Sequence, residues 1–232
     1  MAESKNTVGA IKASYAELHD NIAEKFPDVE KEVRDKIVKS LKEKREERNK
    51  KKRESLLERK KRQGFVIIDK NNPIVKMNRE GIEQSKEARS RAVETHQQLG
   101  DDFQNSTIAS DGINTINGWA VNTPEGFTRA NPKEINDYSK NTLKYEITKS
   151  GGLDYGGIKE EGFDGKRRAS DAEKQLIFQK SNEPIGVSRE MCPDCVNFFQ
   201  KEAQYRKTTQ VVSEPGGTNI FDANGDKFFL PD

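Results

Sequence analysis

A chain of 232 residues has room for one ordinary domain with an extension, or for two small ones. With 31% hydrophobic residues, 34% charged residues and a mean hydropathy of −0.98, it is too polar for one compact body along its whole length. Net charge is only +2, no apolar run approaches the roughly 20 residues that span a bilayer, and the two cysteines exclude a disulfide scaffold.

The charge is unevenly placed. Lys44 to Arg62 holds eleven Lys or Arg against four Glu, an excess of +7 that leaves −5 on the rest. The chain opens on Met1–Ala10, which lacks the apolar core of a general secretory signal. Ile22, Phe26, Val29, Val33, Ile37, Val38 and Leu41 then recur mostly at three- and four-residue intervals, one helical stripe interrupted at Pro27. From Lys42 to Arg62 only Leu56 and Leu57 are apolar, which suits an exposed helix or a disordered run closed by Gly64. Residues 1–64 therefore read as a charged helical leader.

Phe65–Asp69 is a short strand-like run ended by Asn71-Asn72-Pro73, and Glu80–Leu99 is a polar helix. We read 65–105 as a linker with a helix, and the Asp-, Asn-, Ser- and Gly-rich stretch 101–117 as a boundary. Next come a strand at Ile116–Val121 around Trp119, a core aromatic, and a helix at Lys133–Lys140 behind the Asn131-Pro132 cap. Leu143–Thr148 alternates like a strand, and residues 151–165, with six glycines, form a loop. A helix at Ser170–Lys180, a strand at Ile185–Ser188, a helix at Pro193–Lys207 and a strand at Gln210–Val212 complete the alternation. Asn224-Gly225 closes a hairpin. The 127 residues from Ser106 to Asp232 suit an α/β domain with a mixed sheet of about five strands.

The chemistry gathers at two helix openings, Ser170-Asp171-Ala172-Glu173-Lys174 and Met191-Cys192-Pro193-Asp194-Cys195. Two helices joined by one strand of a shared sheet bring their first turns together. Cys192 and Cys195, three apart at a helix start, can face one metal ion, and the helix N-terminus favours their thiolates. Asp171 is a third ligand, and Glu173 reaches towards a fourth position left for water. Both histidines, His19 and His96, lie far upstream, so a closed four-ligand structural site cannot be assembled locally.

Ser170–Ile177 followed by Gly186–Cys195 resembles, as an ordered pair over the last half of the chain, the bacterial toxin branch of the cytidine-deaminase-like superfamily. Met191 stands where many members have Pro. Asp171 stands where most have His or Cys, and it is a harder, anionic donor. The resemblance implies a deaminase-like mixed sheet with helices on both faces, behind the charged extension. It implies zinc held by Asp171, Cys192 and Cys195, and a pocket lined by Ser188, Arg189, Glu190 and Met191. Glu173 would take a proton from water and pass protons to the ring nitrogen and the departing ammonia. The substrate would be cytosine in DNA or RNA, or a nucleotide, with adenine also within the chemistry. Such toxins imply export without a general signal peptide, through a secretion or injection apparatus that reads the leader. They imply action in the target-cell cytoplasm and a cognate immunity protein.

Plainer readings stand beside these. Ser170 and Glu173 form a capping box. Cys-Pro-Asp-Cys also fits a thiol-disulfide oxidoreductase. The run 44–62 reads as a solvated helical face, or as a surface for nucleic acid or a delivery partner. A non-enzymatic partner-binding protein with a metal-stabilised C-terminal fold is the remaining class.

Overall fold

Helix α1 runs from Lys31 to Arg62 with four basic residues in its last turn, where they complement the helix dipole. Gly64 stops it at φ +82°, and the Gly64 and Phe65 amides return to the Lys61 and Lys60 carbonyls, so the last carbonyls of the helix are bonded. The computed structural model describes residues 31–117, 123–148, 167–179 and 183–232. Ile22, Phe26, Val29, the break at Pro27, Trp119 and the glycine-rich segment 151–165 lie outside the described residues.

Two compact units divide the chain, Met1–Leu56 and Leu57–Asp232. In the first, the described residues are helical. Val38 is buried, whereas Val33, Ile37 and Leu41 are exposed. Pairs such as Lys36–Glu32 and Lys51–Glu47, one turn apart on the solvated face, add a few tenths of a kcal/mol each at most.

The second unit begins with the last turn of α1. It continues through β1 (Val66–Ile67), α2 (Pro73–Met77), α3 (Arg79–Gln98), β2 (Ile108–Ser110), β3 (Asn114–Ile116), β4 (Phe127–Thr128) and α4 (Pro132–Asn141). After these come α5 (Ala172–Gln179), β5 (Ile185–Val187), α6 (Pro193–Arg206), β6 (Gln210–Glu214), β7 (Gly217–Phe221) and β8 (Lys227–Pro231). The strands form one sheet in the order β1-β8-β7-β6-β5-β2-β3-β4. It is mixed: β5 and β6 run parallel through the α6 crossover, while β6-β7-β8 is an antiparallel meander.

Helices cover both faces, as the α/β reading requires. On one face α3 presents Ile82 together with Ser85, Ala88 and Ala92, whose small side chains let it lie close to the sheet. Contact is tightest at Gly186 of β5, where an added Cβ would fall 1.8 Å from the Arg89 amide nitrogen. Ile82 joins Ile68, Val211, Ile220 and Leu230 in the core there. Across the sheet, Phe199 of α6 meets Phe221 with ring centroids 5.9 Å apart.

Several expectations are corrected. The sheet has eight strands, where about five were expected. The stretch 101–117, expected as a boundary, holds the hairpin β2–β3, and β2 pairs with β5 inside the sheet. Within 65–105, β1 extends the sheet beside β8 and α3 packs on it, and the chain divides into its two compact units after Leu56. Leu143–Thr148 pairs with no described strand. Its backbone bonds run to Tyr138, Ser139 and Asp194, and Lys144 takes a positive φ, so the alternation of Leu143 and Ile147 buries side chains without a ladder.

Candidate metal centre

Both helix openings are pinned before any metal is considered. At the first, a 3-10 turn at Arg167–Ser170 leads through Asp171 into α5. Thr115 of β3 donates to the Ala172 carbonyl at 2.8 Å, and the Gln175 amide donates to the carbonyls of Ile116 and Ser170. The helix starts at Ala172, one residue later than a capping box on Ser170 requires, so Glu173 sits in the first turn against its own backbone amide. At the second, Cys192 caps α6: its Sγ accepts from the Cys195 amide at 3.3 Å, with Pro193 at the first helical position. This loop leaves the carboxyl end of β5, where open α/β sheets place their ligands.

Asp171 Oδ2 lies 3.0 Å from Cys195 Sγ and 3.6 Å from Cys192 Sγ. One donor atom from each of the three residues falls within 4.8 Å of the others. A tetrahedral ion with metal–sulfur bonds near 2.3 Å separates its ligands by roughly 3.8 Å, so the spread fits a shared ion after small side-chain adjustment. Both cysteines are free thiols. The group could hold a metal ion.

Glu173 is 4% exposed beside this group. Burial, and then the Asp171 carboxylate, push its carboxyl above the ordinary value, while a hydrogen bond with the Cys195 side chain works the other way. Burial also pushes the Cys195 thiol well up. The hydrogen bond from Cys195 pulls the Cys192 thiol down, against burial.

Lys174 was not singled out in the sequence, yet it belongs to the site. Its ammonium is fully buried and donates to Asp171 Oδ2 at 2.8 Å, Asp194 Oδ2 at 2.6 Å and the Arg168 carbonyl at 2.7 Å. Burial opposes its charge, but Asp171, Cys195 and Asp194 outweigh it and hold the ammonium well above its ordinary value. Asp194, between the two cysteines in the chain, accepts at Oδ1 from the Tyr145 hydroxyl and the Thr148 amide, both at 2.7 Å. Burial works to raise the Asp194 carboxyl; Lys174 and these bonds leave it below the ordinary range. Arg168 adds a second cation, hydrogen-bonded to Cys192. The only sequence signal for Lys174 was its place one residue after Glu173, since a lysine in a helix reads as solvated.

The four residues expected to line a pocket are all engaged by the protein. Ser188 Oγ accepts from the Ile108 amide, and Arg189 donates to the Asn105 carbonyl. Glu190 is held by Arg59, and the Met191 amide donates to Glu214.

No protein-family model matches the chain, and no curated protein matches it either. No helix among the described residues is long and apolar enough to cross a membrane.

Proposed function

We propose that the chain is a zinc-dependent hydrolytic deaminase of nucleobases, acting on cytosine in DNA or RNA and delivered into target cells as a toxin. The observation that carries the reading is a buried carboxyl, Glu173, lying against an open set of three donors, Asp171, Cys192 and Cys195. Two thiolates and a carboxylate suit zinc among the common ions, and three protein ligands leave one position free. Zinc, when bound there, supplies Lewis-acid activation of a water at neutral pH.

The chain's own residues do the rest. Glu173 would take one proton from a water and pass it to the ring nitrogen as the oxygen bonds the amino-bearing carbon. It would then take the second proton from that oxygen and pass it to the amine, which leaves as ammonia when the C–N bond breaks. Its place in the first turn of α5, pinned by Thr115 and Gln175, fixes the carboxyl without a flexible reach. A polymeric substrate must offer its base unpaired or flipped out, since the ring has to reach a buried carboxyl. Delivery through the N-terminal segment, action in the target-cell cytoplasm and neutralisation by an immunity protein rest on the sequence resemblance.

The test is expression in a strain lacking uracil repair, followed by genome and transcriptome sequencing. The reading expects C-to-T changes in DNA or C-to-U changes in RNA. It expects Glu173→Ala to lose roughly 10²- to 10⁴-fold in rate while keeping its fold and metal content. A folded, zinc-loaded chain that changes no base contradicts it. The place of Cys192 at the start of α6, its Sγ accepting from the Cys195 amide at 3.3 Å, favours a thiol-disulfide oxidoreductase instead. That reading expects turnover of dithiols by a zinc-free chain.

A further inference from the structure

The segment Ser188–Cys192 carries the first cysteine of the centre but no regular secondary structure, so something must fix its course. Two consecutive residues from the last turn of α1 do so. Arg59 Nε and Nη2 donate to the two carboxylate oxygens of Glu190 at 3.0 and 2.7 Å, a fork that sets both distance and direction. Lys60, fully buried, pairs with Glu214 of β6 at 2.6 Å and donates to Asn219 of β7 at 2.9 Å. Glu214 in turn accepts the Met191 amide at 2.9 Å, and the Asn219 amide lies 3.5 Å from Met191 Sδ. The ammonium of Lys60 also sits 5.1 Å from the ring centroids of both Phe65 and Phe229, which fixes its place.

Glu190 is thus tied directly to Arg59, and Met191 is tied through Glu214 to Lys60, the next residue of the same helical turn. We infer that Arg59, backed by Lys60, is a positioning residue of the metal centre: it holds the 188–192 segment in the course that aims Cys192 at Asp171 and Cys195. Ion pairs made only for stability would change the melting temperature and leave the sulfur's aim untouched. The inference rests on reading Asp171, Cys192 and Cys195 as ligands.

Arg59→Glu and Glu190→Arg in the full chain each break the fork, and the double variant rebuilds it with reversed polarity. Two readouts separate the possibilities: the alkylation rate of Cys192 in the metal-free chain, in a Cys195→Ser background, and cobalt(II) affinity with its sulfur charge-transfer band. Each single variant is expected to speed alkylation and to weaken cobalt binding roughly 10- to 100-fold, the range for partners one shell beyond the ligands. The double variant is expected to recover most of both. Folded single variants with the parent's alkylation rate and cobalt spectrum overturn the inference, as does a folded double variant that recovers neither. If reversed charges abolish folding, Arg59→Met carries the same two measurements. A parent chain that binds no metal removes the ligand reading alone, because the alkylation rates still decide whether Arg59 holds the segment.

Discussion

Asp171, Cys192 and Cys195 would place three anionic donors around one ion, and a cation beside them would answer that charge. Lys174 does so from full burial, bonded to the same Asp171 oxygen that faces both sulfurs. Lys174→Met, close in shape but uncharged, is therefore expected to weaken metal binding roughly 10- to 100-fold, as measured by chelator competition. Unchanged affinity would show that the ammonium serves only the fold. Tyr145 supplies a pH signature for the same network. Burial, with the bond to Asp194, pushes its phenol up to about 12 from an ordinary value near 10. The folded state keeps the proton longer than the unfolded one. Stability from this group is therefore whole below pH 10 and is lost as pH rises towards 12. Tyr145→Phe should remove that part of the alkaline slope in urea unfolding series; an identical slope would contradict the assignment.

Among the elements, the parallel pair β5 and β6 with α3 across it sets how closely the layers approach. Gly186→Ala drives a methyl into the backbone of α3, with 1.8 Å to the Arg89 nitrogen, and should cost about 3 kcal/mol or more in chemical denaturation. The closeness also explains what the sequence hid. A helix that faces a sheet through Ser85, Ala88 and Ala92 reads as polar, because small residues carry little hydrophobic signal. Strands β2 and β3 are three residues each around Asp111-Gly112, too short to show alternation against a polar background. The segment 143–148 shows the opposite failure: its alternation is real, but the partners are a serine, an aspartate and the core, not a strand. The cap at Asn131, the hairpin at Asn224-Gly225 and the opening at Cys192 were legible, since each depends on chemistry within four residues.

For the molecule as a whole, the last turn of α1 is part of the α/β unit and not of a separable leader. The pair Lys60–Glu214 is wholly buried, and a lost partner leaves a charge without compensation. A chain beginning at Leu57 keeps that pair; one beginning at Phe65 loses it and should be destabilised by about 3–5 kcal/mol relative to the longer piece. Equal stability of the two would remove Lys60 from the core. The division at Leu56 was not legible because the charge run 44–62 crosses it without a change of texture. The cluster of Asp171, Cys192 and Cys195, which could hold a metal ion, was legible across the fold because α5, β5 and α6 follow one another in the chain. Zinc-edge X-ray absorption on the purified, metal-reconstituted chain tests that convergence most directly. The account expects one zinc per chain with two sulfur neighbours near 2.3 Å and oxygen in the remaining positions. A first shell without sulfur, or a chain that takes up no zinc, would contradict it.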